Sequence, residues 1–313
     1  MIEIKCYTKE YNKQWEEFLS NAKNSHFFFH RDYMEYHSDR FEDFSLIIKN
    51  EKGKIIALLP ASREKETLVT HGGLTFGGFI TGEKMTAGEM LEVFAETKEF
   101  LLNEGISKVI YKCLPCIYMR YPAEEDKYAL FINEAKLIRR DISSTIYLPE
   151  RYKYQKGRKW MVNRGKKYGI EVRESKDFKA FMELENSVLS EYHDTKAVHT
   201  AEEIGRLADL FPENIHLYVG ELAGELLAGT IIFENGNVVH TQYMANSEKG
   251  REMGALDRVI DFLIMEKYSD YRYFDFGIST ENQGKYLNKG LIGQKEGFGG
   301  RAIMHDFYEW SLK

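Results

Sequence analysis

Cysteine and proline are scarce in this 313-residue sequence, with three of the first and five of the second. Cys6, Cys113 and Cys116 form an odd set, which argues against a disulfide framework and fits a reducing compartment. Cys113-Leu-Pro-Cys116 has the spacing of a redox dithiol, but no helix-starting pattern follows it, and no second pair of zinc ligands lies nearby. Long apolar runs are missing too. None approaches the ~20 residues that span a bilayer, and Met1-Ile2-Glu3-Ile4-Lys5 leads directly into an alternating strand instead of a basic and apolar leader. The expectation is a cytoplasmic chain that meets any membrane-linked substrate from the aqueous side. Walker, G-x-G-x-x-G, H-E-x-x-H and G-x-S-x-G sequences are absent. Nucleotide hydrolysis, dinucleotide redox work, metal-dependent proteolysis and serine hydrolysis therefore lack support, and no metal site is expected. A formal net charge of -6 argues against broad nucleic-acid or membrane-surface binding.

What is present is a globular composition, 43% hydrophobic, 14% aromatic and 29% charged, over a length that suits two domains. Sliding the sequence by about 171 residues lays one hairpin over another. Asp43 to Ile48, Gly53 and Ile55 to Ala57 fall on Asn214 to Val219, Gly224 and Leu226 to Ala228. In each copy a Gly-bearing stretch, a helix and an apolar strand follow. Two copies of one α/β unit are predicted, each a mixed twisted sheet flanked by helices. The boundary falls at Pro149, giving domains 1–148 and 149–313. The clearest helix lies in the second, where Leu256, Val259, Ile260, Leu263 and Ile264 make an apolar stripe. Opposite it, Asp257, Arg258, Asp261 and Lys267 are expected to face water.

Three groups of residues carry chemical potential. Between Arg151 and Lys167 there are eight cations and no acid, which points to a phosphate or carboxylate partner held by residues such as Arg158 and Arg164. The bland alternative is a solvated helix face. Residues 248–256 lead into the apolar-striped helix, so Arg251, Gly254 and Ala255 would offer backbone N–H groups and a charge to an anion at a helix N-terminus. On the strand from Val238 to Ala245, period two places His240, Gln242 and Met244 on one face and Thr241, Tyr243 and Ala245 on the other. His240 is a candidate base, Tyr243 a proton donor, and Asp275 a carboxylate raised by burial or a cap. Ser279 and Tyr286, in a polar run, suit a sugar or peptide acceptor.

Arg251-Glu-Met-Gly254-Ala255 resembles a degenerate form of the GNAT acyltransferase cofactor loop, R/Q-x-x-G-x-G/A, with Leu256 where the last small residue is expected. Lys295-Glu-Gly-Phe298-Gly299, preceded by Phe274-Asp275-Phe-Gly277, resembles the closing pattern of Fem-type peptidoglycan aminoacyltransferases and their shorter BioF2-like relatives. The resemblance implies two GNAT folds in tandem. It also implies N-acyl transfer, with acetyl or aminoacyl as the group, to an amine of a cell-envelope, peptidoglycan or polysaccharide precursor. Acyl-CoA is the implied donor; aminoacyl-tRNA is less expected, because no long helical hairpin arm occurs here. Lys295 resembles the family lysine that meets negative charge on the tetrahedral intermediate or on a nearby phosphate. The rival reading is a catalytically silent tandem module that binds a glycan, peptide or protein.

Overall fold

In the computed structural model, which describes residues 2–193 and 197–313, the chain folds as two units. The first comprises Met1–Asp141, Asn282–Tyr286 and Met304–Lys313, and the second Ile142–Glu281 and Leu287–Ile303. In the first unit, strands Glu3–Cys6, Leu46–Lys49, Ile55–Leu59 and Ile80–Thr81 pair antiparallel in that order. Gly53, at φ +73°, turns the hairpin that its neighbours signalled. Helix Ala87–Asn103 starts at Thr86, whose side chain accepts from the Glu89 N–H. The helix buries Met90, Val93, Phe94 and Leu101 in a core with Leu46, Leu59 and Trp310. Each such side chain is worth roughly 1.5–3 kcal/mol of burial.

The second unit carries the residues of chemical interest. Its strands are β1 (Lys136–Tyr147, which enters this unit at Ile142), β2 (Glu171–Ser175), β3 (Ile215–Leu222), β4 (Glu225–Asn235), β5 (Val238–Asn246) and β6 (Tyr273–Ile278). They pair in the order β2-β3-β4-β5-β6-β1. All these pairings are antiparallel except β5 with β6. Parallel strands need a crossover, supplied here by α4 (Glu248–Met253) and α5 (Ala255–Phe262), the latter continuing as a π-turn over Leu263–Lys267. The predicted stripe is observed: Leu256, Val259, Ile260, Leu263 and Ile264 bury against Ile146, Ile232, Val239 and Phe274. The other sheet face is covered by α2 (Phe178–His193), with α3 (Ala201–Leu210) beside it, and Phe181 of α2 lies so close to Gly229 that an added Cβ would come within 2.9 Å.

The polar side of α5 differs from expectation. Asp257 and Asp261 are each 4% exposed, because α1 (Lys156–Tyr168) lies over them. Arg158 Nη1 is 2.9 Å from Asp257 and Lys166 Nζ 2.8 Å from Asp261. Part of the basic run is thus matched by carboxylates about a hundred residues away, which no local pattern reveals. Burial still pushes Asp257 up to about 6, although Arg158 opposes the shift. Among the described residues, no helix is long and apolar enough to cross a membrane.

Candidate active site

Strands β5 and β6 part company at two residues. Their parallel ladder runs Val238↔Tyr273, Val239↔Phe274 and His240↔Asp275 and ends there, although β5 continues to Asn246 and β6 to Ile278. Backbone groups beyond that point are released from the pairing, and the last pair stands at the fork. Asp275 is fully buried. Its Oδ1 accepts from Ser143 Oγ and Thr145 Oγ1, each at 2.6 Å. Oδ2 accepts the Gly277 N–H at 3.2 Å and lies 2.7 Å from His240 Nδ1. An ionised carboxylate only accepts, so Nδ1 of His240 carries hydrogen and Nε2 is the basic nitrogen. The ring edge rests on Gly277, where an added Cβ would lie 3.2 Å from His240 Cε1, and φ of +73° further restricts that position to glycine.

Lys295, near the end of α6 (Lys289–Gly297), reaches the same place. It is 3% exposed, and its Nζ donates to the carbonyls of Gly277 at 2.9 Å and Ile278 at 2.7 Å. Burial lowers its pKa to about 8, while the charge of Asp275 pulls it upward. Two of its three N–H bonds are used by carbonyls, leaving one for an incoming group. Just past β6, the Ser279 Oγ is buried without a hydrogen-bond partner among the described residues.

Tyr243 stands on the same sheet face as His240, not on the opposite one. The register of β4 with β5 pairs Phe233 with His240, Ile232 with Thr241 and Ile231 with Tyr243, so Gln242 is the extra residue of a β-bulge. Partners across a ladder share a face, and Ile231 and Phe233 lie on one face of β4. The bulge therefore brings His240 and Tyr243 together on the α2 side. There the Tyr243 hydroxyl accepts the His199 N–H at 3.2 Å and lies 2.7 Å from His199 Nδ1. Burial raises the Tyr243 pKa, with hydrogen bonding from His199 N–H opposing it, so the phenol keeps its proton. Glu185 of α2 adds a negative charge to this group. It is 6% exposed, its Oε2 has no hydrogen-bond partner among the described residues, and burial pushes its pKa up to about 7.

Residues 150–286 match the family model described as acetyltransferase (GNAT) domain. The crystal structure of FemX aligns with a TM-score of 0.70 at 11% identity, over 99% of this chain and 97% of that one. The structure of L-PGS from Bacillus licheniformis gives 0.60 at 14% identity, over 96% and 91%. A tandem GNAT protein from the clavulanic acid biosynthesis pathway gives 0.51 at 11% identity, over 100% and 99%. The chain has a tandem GNAT fold. The expected Fem-type architecture is borne out, and the family match makes the second half a GNAT-type acyltransferase domain. No curated protein matches the sequence.

GNAT domains typically use acetyl-CoA or acyl-CoA, and the expected cradle for its diphosphate was the loop from Arg251 to Ala255. This chain folds the stretch differently. Residues 248–253 are helical, and Gly254, at φ +78°, caps α4 and opens α5 directly. A Cβ on Gly254 would lie 2.3 Å from the Met161 carbonyl oxygen of α1, and one on Gly165 would lie 2.7 Å from the Gly254 oxygen. Ala255 is fully buried, and Arg251 Nε donates to the Asn246 carbonyl at 3.2 Å. With helix α1 packed backbone to backbone on this turn, these residues do not fit a diphosphate at the α5 N-terminus.

Other expected binding residues are scattered. Arg158 is engaged by Asp257, and Arg164 stacks over Trp160 and Tyr168, 5.0 and 5.6 Å from their ring centroids. Tyr286 belongs to the first unit and is 57% exposed. His199 and Glu185 were not singled out from sequence. Glu185 did leave a trace there, since it follows Phe181 and Met182 by four and three residues on the buried stripe of α2.

Proposed function

We propose that the second unit is the catalytic half of an N-acyltransferase that joins an activated acyl or aminoacyl group to an amine of a cell-envelope, peptidoglycan or polysaccharide precursor. The observation that carries this reading is the meeting of His240, Asp275 and Lys295 where β5 and β6 part. In this reading, His240 Nε2 takes a proton from the acceptor amine, with Asp275 holding the ring and stabilising the imidazolium. The amine nitrogen then bonds to the acyl carbon, and the carbonyl π pair moves onto oxygen. Lys295 offers its remaining N–H to that developing oxyanion in a buried setting, where such donors act most strongly. Collapse expels the carrier, to which Tyr243, steadied by His199, gives a proton; the proton held on His240 Nε2 then restores the phenol through solvent, so that one proton passes in net from the amine to the carrier. Ser279 supplies a free hydroxyl to the acceptor.

No step here is routed through coenzyme A, since the turn at Gly254 is closed to its diphosphate. That closure also favours a second reading, in which the protein binds an acceptor-like ligand without turning it over. A mass-spectrometric screen of acyl and aminoacyl esters against amino-sugar and peptide acceptors separates the two. An amide product that requires Lys295 supports the enzyme, and ligand binding without any product across the screen supports the silent module.

A further inference from the structure

The second unit holds a cavity of about 790 Å³, open to solvent, between the segment from Pro149 to Lys156, the face of α1 that carries Lys156, Lys159 and Val162, and Asp261 and Met265. Its cationic lining is Arg151, Lys153, Lys156, Lys159 and Lys166, against the carboxylates of Glu150 and Asp261. Asp261 is already matched by Lys166 at 2.8 Å and by Arg258 at 3.5 Å. Arg151, Lys153, Lys156 and Lys159 have no carboxylate partner within 4.0 Å among the described residues. Lys156 and Lys159 are three residues apart on the first turn of α1, where like charges repel, and Lys153 lies in the extended segment just before it. Tyr154, also in the wall, has its phenol pKa raised by burial and remains a neutral hydroxyl. A negatively charged protein that concentrates unmatched cations in one concavity is built for a small polyanion, since an extended nucleic-acid backbone needs a stripe and not a pocket.

We propose that this cavity is a diphosphate-binding site, holding the carrier end of a substrate in place of the α5 N-terminus that Gly254 and Gly165 close. The same helix accounts for both features: Met161 and Gly165 seal the turn at Gly254, and Lys156 and Lys159 line the cavity. The cavity wall is tied to the reactive centre by the hydrogen bond from Gln155 N–H to the Gly297 carbonyl at 2.9 Å, two residues beyond Lys295, and by the Tyr154 ring set edge-on to Phe298. Ordering residues 151–156 around a diphosphate therefore also orders the end of α6, which carries Lys295. This inference deepens the acyl-transfer reading and rests on it for the meaning of "carrier", but the binding itself is measured without turnover.

The test is calorimetric titration of the full chain with inorganic pyrophosphate at constant ionic strength. The wild type should bind saturably. Lys156→Glu/Lys159→Glu should weaken binding at least tenfold, and Lys52→Glu/Lys54→Glu, a charge reversal of equal size in the first unit, should leave it unchanged. Circular dichroism verifies folding, and Lys156→Gln/Lys159→Gln replaces the reversal if that variant does not fold. Competition by UDP but not coenzyme A would identify a nucleotide-linked carrier, and the converse a coenzyme; either supports the site. Absence of saturable binding in the wild type, or equal affinity in the 156/159 variants, would overturn it while leaving the acyl-transfer reading intact.

Discussion

His240 Nδ1 lies 2.7 Å from Asp275 Oδ2 at the last rung shared by two parallel strands before they separate. The contact fixes which ring nitrogen is basic and leaves that nitrogen at the mouth of the fork. Because both residues act as one unit, their substitutions should not add. His240→Gln and Asp275→Asn are each expected to lower turnover by about 10²–10⁴-fold, and the double variant little further. Steady-state rates of the three variants check this. Asp275→Asn should also cost roughly 1–3 kcal/mol in urea unfolding, since donors from Ser143, Thr145 and Gly277 lose a charged acceptor.

Lys295 should leave a signature in pH. Its folded-state pKa is lowered from 10.5 to about 8, so the cation needed at the oxyanion disappears as pH rises past 8, and turnover should fall there. The stability consequence has the opposite sense. Folding favours the neutral amine, so the lysine's contribution is present above 10.5 and is lost as pH falls through about 8. Comparing Lys295→Met with wild type by urea unfolding, the difference should move in the variant's favour by on the order of 2 kcal/mol between pH 10 and pH 7.

Glu185 is a buried carboxylate that folding penalises when charged. Its pKa rises from 4.5 to about 7, so its contribution to stability is fully present below 4.5 and is lost as pH climbs through 7. Glu185→Gln should therefore unfold later than wild type at pH 8, by on the order of 2–3 kcal/mol, and together with it at pH 4.5. A variant gaining stability while losing acyl transfer would mark Glu185 as retained for its charge beside Tyr243.

Much of the framework is legible in the sequence. The α5 stripe, the strand from Val238 and the hairpin at Gly53 follow from periodicity and turn chemistry. The pairing of faces on β5 is not, because one extra residue at Gln242 inverts the alternation after it and brings Tyr243 to the side of His240. Nor is the burial of Asp257 and Asp261, which depends on α1 arriving from far away in sequence with Arg158 and Lys166. His199 carries no local signal at all, since only the fold brings it to Tyr243.

The close packing of α1 on the turn at Gly254 makes its own prediction. Gly165→Ala puts a methyl group 2.7 Å from the Gly254 oxygen, so it should destabilise the chain by about 1–3 kcal/mol in urea unfolding. Gly157→Ala, on the same helix with open space around it, should be neutral or slightly stabilising.

The most direct measurement is amide-product formation, followed by mass spectrometry, for wild type and a folded Lys295→Met variant over the same panel of acyl donors and amine acceptors. The account predicts product from the wild type and a loss of about 10²–10³-fold in the variant. Product formed at equal rates by both proteins would contradict it.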